Sequence, residues 1–217
     1  MASVLAVEWA PGKTVEALIV GSGGMVMVLA HGAGAGPDHP FMIGARDRFA
    51  ERGLQVVTFP YPYMAEGRRA PDRQQTLLAA HRAVVAHVSR PGVPVVLAGK
   101  SMGGRMASHL DDVGAAAFVY LGYPLVPPGK TEPRDTSHLR RLTAPMLFVQ
   151  GDRDRLAPMP AIRALVGRLP GASLLEVPGA DHQFHVLKST GLTDGDVLDR
   201  VADDTAAWLQ AQVGGGT

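Results

Sequence analysis

Apolar residues along this chain fall into short unbroken runs, separated by stretches of helical spacing. Met25-Val-Met-Val-Leu-Ala30, Gln55-Val-Val-Thr-Phe59, Val95-Val-Leu-Ala98, Ala115-Ala-Ala-Phe-Val-Tyr-Leu121 and Pro145-Met-Leu-Phe-Val-Gln150 are five such runs. Each is too short for a buried helix, and most are rich in β-branched residues. They predict strands covered on both faces. Residues 173–177 predict a last strand. Residues 4–8 and 16–20 predict a hairpin turning through Pro11-Gly12. Between the runs, apolar residues at three- and four-residue intervals predict helices over 41–52, 72–90, from the Ser101 turn to about 112, 159–169 and 194–213. Asp72 stands where an N-cap is needed for the second of these.

Strands alternating with helices argue for an α/β fold, a mostly parallel sheet with helices on both faces. The 217 residues, 46% of them hydrophobic, suit one domain over 1–217. The glycine-rich end, 214–217, reads as a frayed tail. Two segments resist regular structure. Residues 60–71 hold three prolines and a glycine, and predict a loop long enough to be functional. Residues 125–143 form a proline-bearing connector with at most one helical turn, near 138–142.

Composition narrows the function by exclusion. The net charge is +1, and no basic stripe with interleaved aromatics appears, which argues against a nucleic-acid partner. The longest apolar stretch, 23–30, is too short to cross a bilayer. The N-terminus lacks a basic segment, and Glu8 interrupts its apolar run, so neither a signal peptide nor a membrane partner is expected. The absence of cysteine removes disulfides, cysteine-ligated metals and a cysteine nucleophile. It fits a reducing, cytoplasmic location.

The candidate chemistry gathers where strands end, which is where parallel sheets place their sites. Gly99-Lys-Ser101-Met-Gly103 follows one strand and opens a helix. Only very small neighbours let the arms of such a turn approach each other, and the turn lifts the serine hydroxyl above the sheet. Ser101 then needs a base, and His182 in Gly179-Ala-Asp-His182 can supply it. The imidazole needs an orienting carboxylate, and Asp154 in Gly151-Asp-Arg-Asp154 suits that role. Asp152 is the alternative acid and His185 the rival base. Asp181 reads as a loop former. His31, Asp38 and His39 make a weak metal set without a fourth ligand.

With the order Ser101, Asp154, His182, the chain resembles the α/β-hydrolase superfamily over about 16–208. The segments at 31–36, 99–105 and 122–124 resemble a small lidless branch related to the dienelactone hydrolases. That branch includes bacterial predicted hydrolases, a testis-expressed hydrolase-like protein and a subunit of a chromatin acetyltransferase complex. Unlike the dienelactone hydrolases proper, this chain carries serine in place of cysteine at the nucleophile position. The resemblance implies an eight-stranded twisted sheet without a large cap. It implies a Ser101-His182-Asp154 triad and an oxyanion hole from the N–H groups of Met102 and Ala33, with Gly34 next in line and His31 shaping the loop. It implies no metal and no organic cofactor.

The expected reaction is hydrolysis of small or accessible carboxylic esters or thioesters through an acyl-enzyme, on a small-molecule substrate. Oligomeric state stays open. The other reading is a non-catalytic interaction module that keeps the fold. An open pocket is expected, walled by the 60–71 loop. Tyr61, Tyr63, Met64, Met102, Tyr123, Leu125, Met159 and Phe184 are its candidate apolar residues. Lys100 is not needed by a triad. It could bind an anionic substrate group, pair with a carboxylate beneath the turn, or lie over the helix start.

Overall fold

The computed structural model describes residues 2–214. Eight strands form one sheet: β1 (Ala2–Ala10), β2 (Lys13–Val20), β3 (Val26–Ala30), β4 (Gln55–Phe59), β5 (Val95–Lys100), β6 (Ala117–Leu121), β7 (Met146–Gly151) and β8 (Ala172–Val177). Their order across the sheet is β1-β2-β4-β3-β5-β6-β7-β8. Strands β3 to β8 are parallel, and β2 alone runs against its neighbours.

Side chains on the central strands alternate between two cores. Val28, Leu97, Tyr120 and Phe148 face one cluster, Met27, Val96, Val119 and Leu147 the other. The period of two sends successive residues to opposite faces, so a doubly covered strand must be apolar throughout. Helices α3 (Gln74–Val88), α4 (Met102–Ala107) and α5 (Met159–Val166) cover the first face. Helices α1 (Pro40–Glu51) and α6 (Asp194–Val213) cover the second and pack on each other.

Several boundaries differ from the sequence reading, each for a physical reason. The 60–71 segment contains a single helical turn, α2 (Pro62–Ala65). Pro62 sits at its start, where a missing N–H costs nothing. Asp72 does not cap α3. That helix begins at Gln74 without a side-chain cap, and the Asp72 carboxylate instead accepts a 2.8 Å ion pair from Arg68. Helix α4 stops at Ala107, short of 112. Gly214, the first residue of the expected tail, donates its N–H to the Gln210 carbonyl and closes α6. The rest of the expected tail, 215–217, lies outside the described residues.

Strand β3 lies between β4 and β5: the chain passes from β3 to β4 on one side, then crosses back to β5 on the other. A crevice opens where the strand order reverses, above the carboxyl ends of β3 and β5. No cap covers it: the connector between β6 and β7 holds one 3-10 turn, Ser137–Arg141. No helix among the described residues is long and apolar enough to cross a membrane.

A histidine is enclosed in the first core. His81 on α3 is fully buried and shares a 3.1 Å hydrogen bond with the Tyr61 hydroxyl. Burial pushes its pKa from 6.5 down to about 3. The imidazole is neutral in the fold, whereas the unfolded chain takes up the proton below about pH 6.5. Its contribution is therefore complete above that value and is lost as the pH falls, at up to about 1.4 kcal/mol per pH unit. Urea unfolding should show the native midpoint dropping between pH 7 and pH 5. The His81→Gln variant should show a shallower drop.

Candidate functional site

Ser101 follows β5 directly and has φ 51° and ψ −113°, a left-handed conformation that a residue with a Cβ adopts only under constraint. The constraint is backbone crowding. A Cβ on Gly99 would overlap the Gly103 backbone, and one on Gly103 would overlap the carbonyl of Ala30 on β3. The Ser101 N–H is held by the Leu121 carbonyl of β6 at 3.0 Å. The hydroxyl is left standing above the sheet.

His182 Nε2 lies 2.9 Å from Ser101 Oγ, and its Nδ1 lies 2.7 Å from Asp154 Oδ2. Asp154 is buried; its Oδ1 accepts the Leu156 N–H at 2.7 Å, and its Oδ2 also accepts the Gln150 side-chain amide. A carboxylate held on both oxygens cannot rotate away from the imidazole. Gln150 is a residue the sequence reading missed as functional. Its signal was a lone amide ending an apolar strand.

The loop after β3 is shaped from beneath. The Tyr61 N–H donates to His31 Nε2 at 2.9 Å, so His31 Nδ1 carries the proton and donates to the Gly32 carbonyl at 2.7 Å. The Tyr63 hydroxyl donates to the Ala33 carbonyl at 2.9 Å. In a trans peptide the N–H points opposite its C=O. Pulling these two carbonyls inward turns the N–H groups of Ala33 and Gly34 outward. Residues 32–35 and Ser101 line a cleft of about 390 Å³, closed by Phe41, Met42, Pro128, Leu156 and Gln183. Met102 opens α4, where its N–H has no intrahelical acceptor.

Residues 23–210 match the alpha/beta hydrolase domain. The chain belongs to that family. Its fold recurs in a serine hydrolase without lid from Xanthomonas campestris, at 20% identity and TM-score 0.73, with 100% of this chain and 96% of that one covered. A dienelactone hydrolase from Anabaena variabilis matches at 18% identity and TM-score 0.74, covering 98% of each chain. The ferulic acid-bound Est1E of Butyrivibrio proteoclasticus matches at 16% identity and TM-score 0.76, covering 97% of this chain and 99% of that one.

Within this alpha/beta hydrolase, Ser101, His182 and Asp154 meet as one chain of hydrogen bonds. The rival residues do other work. Asp152 accepts the Gly179 N–H at 2.8 Å, and His185 lies 2.5 Å from Asp194 near the surface. Asp181 Oδ1 accepts the N–H groups of Gln183 and His185, which builds the histidine loop. His31 is spent on the loop above, and His39 Nδ1 caps α1 by accepting the Phe41 N–H. Among the described residues, His31, Asp38 and His39 do not gather into a group of three ligating side chains.

The expected pocket wall needs correction. Tyr61 and Tyr63 are 0% exposed and Tyr123 is 1% exposed, so none can touch a substrate. Tyr61 faces His81, Tyr63 braces the Ala33 carbonyl, and Tyr123 packs edge-on against Tyr120 and Phe148. Large aromatic rings near a site are also the best candidates for burial, and here burial wins. The cleft is walled by the start of α1 and by Pro128 and Leu156, not by the 60–71 loop. Lys100 touches the cleft, but its Nζ is already bonded to the His182 carbonyl at 2.6 Å. Burial pushes its pKa down to about 8, against the pull of Asp154 and Asp181.

Because Tyr61 is buried, its loss should register in stability. Tyr61→Phe strands the His81 Nδ1 and is expected to cost about 1–3 kcal/mol in urea unfolding. A residue lining the substrate site would instead change KM.

Proposed function

We propose that this chain is a serine-dependent hydrolase of small or accessible carboxylic esters, acting through an acyl-enzyme. The observation that carries the reading is the relay from Ser101 Oγ through His182 to Asp154, at 2.9 and 2.7 Å, opening on an uncapped cleft. His182 Nε2 takes the hydroxyl proton as Ser101 attacks the carbonyl carbon. Asp154 keeps Nδ1 protonated and stabilises the cation that forms. The N–H groups of Ala33 and Met102 receive the developing oxyanion, each donor worth about 3 kcal/mol in the transition state. His182 then returns the proton to the leaving alcohol. In the second half it activates water against the acyl-serine, which frees the acid.

The cleft supports a preference for short or exposed esters. It is about 390 Å³, at the lower end of small-molecule sites, and no helical cap stands over it to enclose a long chain. Likeness to Est1E, whose structure holds ferulic acid, is in keeping with an acyl group of modest size. Thioesters present the same carbonyl to the same donors and belong in the substrate panel.

A fluorophosphonate probe should label the native protein, and Ser101→Ala should abolish labelling. Asp154→Asn should lower kcat on the order of 10⁴-fold while KM changes little. Well-folded native protein that resists the probe would favour the non-catalytic module. Across a series of p-nitrophenyl esters, kcat/KM should fall as the acyl chain lengthens. A strong preference for long chains would contradict the open cleft.

A further inference from the structure

A lysine at the end of a doubly covered strand is expensive, because burial strips the ammonium of water. Lys100 is the last residue of β5 and is only 5% exposed. It has no carboxylate within ion-pair distance among the described residues. Its Nζ donates to the main-chain carbonyl of His182 at 2.6 Å. The rings of Phe41 and Phe184 stand at 5.7 Å from the same nitrogen. The ammonium thus donates to one carbonyl and lies within cation–π range of two rings, an environment with no place prepared for a substrate anion.

The surroundings are built to this shape. Gly122 has φ 69°, and a Cβ there would stand 3.3 Å from Lys100 Nζ, 3.5 Å from His182 Nδ1 and 3.5 Å from the Phe184 ring. Phe184 itself has φ 65°, unusual for an aromatic residue, and is 1% exposed. Its ring packs on Phe41 of α1 at 5.4 Å. The carboxylates facing Nζ are Asp154 beyond β7 and Asp181 on the loop after β8, and the titratable His182 lies on that same loop. Helix α1 presents the Phe41 ring, and the turn after β6 presents Gly122.

We propose that Lys100 is a positioning residue for the base: its ammonium clamps the His182 main chain to the nucleophile strand and so fixes the imidazole over Ser101. The proposal rests on the hydrolase reading above. The clamp joins two residues that sit side by side in the mechanism but far apart in the chain. Nucleophile and lysine are neighbours on one backbone, and the bond to the His182 carbonyl ties the base to that same backbone. A charged donor makes this bond roughly twice as strong as a neutral one. With a pKa of about 8, the lysine holds its charge below that pH and loses it above, so the clamp weakens on the alkaline side.

The test uses Lys100→Met and Lys100→Gln in the full chain, with a neutral p-nitrophenyl ester and the fluorophosphonate probe. Both variants should lower kcat and the labelling rate by about 10- to 100-fold, as expected for a displaced base, with KM unchanged within about twofold. The native enzyme should lose activity through an alkaline limb near pH 8 that both variants lack. Folded variants with native kcat, or with the same alkaline limb, overturn the clamp. Asp181→Asn tests it with the lysine in place: the acceptor oxygen for Gln183 and His185 remains, but a charge that favours the ammonium is gone. Its alkaline limb should move to lower pH, and an unmoved limb overturns the clamp. Absence of labelling in the native protein overturns the hydrolase reading and the clamp with it. Equal labelling of native and variant proteins overturns the clamp alone.

Discussion

The close approach of three backbone segments, β3, β5 and the start of α4, governs this molecule. Side chains are excluded at Gly99 and Gly103, because a Cβ at either would overlap neighbouring backbone. That crowding forces the chain to reverse within two residues of leaving β5 and puts Ser101 at φ 51°. The strained residue costs about 1–3 kcal/mol. The cost is met locally by the Ser101 N–H bond to Leu121 and by the start of α4, whose Arg105 N–H bonds the Ser101 carbonyl at 3.1 Å. Strain, exposed hydroxyl and free helix-start N–H are one geometric event, not three features.

The same economy governs the neighbouring loops. Gly151 ends β7 where a Cβ would overlap the Ala180 carbonyl, so the turn bearing Asp154 lies directly against the loop bearing His182. Cross-links then stitch the two together: Arg153 N–H to the Ala180 carbonyl at 3.0 Å, and Gly179 N–H to Asp152 at 2.8 Å. The turn that carries Asp154 and the stem of the loop that carries His182 are thereby joined through backbone N–H groups. On the other flank, His31 and Tyr63 hold two carbonyls down so that the paired N–H groups face up. A hydrogen-bonded histidine tautomer and a buried phenol thus decide the polarity of a loop that has almost no side chains of its own.

The architecture was legible in the sequence because doubly buried strands leave a plain signature, and every central run became a strand. The meeting of Ser101, His182 and Asp154 was legible because each follows a strand end, and a parallel sheet brings its strand ends together on one side. What was not legible is instructive. Tyr61, Tyr63 and Tyr123 looked like a pocket wall because aromatics suit both pockets and cores, and a one-dimensional pattern does not say which side of a loop a ring takes. Asp72 matched a cap by type, but Arg68 lay within reach and claimed its carboxylate. Gln150 and Leu156 entered the site through contacts that depend on how one turn folds back on itself, and spacing along the chain does not encode that.

The histidine loop shows how a second strained residue can serve the first. Phe184 adopts φ 65° at a further cost of about 1–3 kcal/mol. The loop tolerates it because the ring is buried against Phe41, and fully burying such a ring returns about 1.5–3 kcal/mol. The two terms nearly cancel, so the packed ring alone gives the loop no firm preference for the geometry that the relay requires. A bond to the His182 carbonyl from a charged donor on the nucleophile strand supplies that preference. Lys100 is costly to bury and contributes little as a core residue. Its placement is intelligible when it is counted with the loop it holds rather than with the strand that carries it.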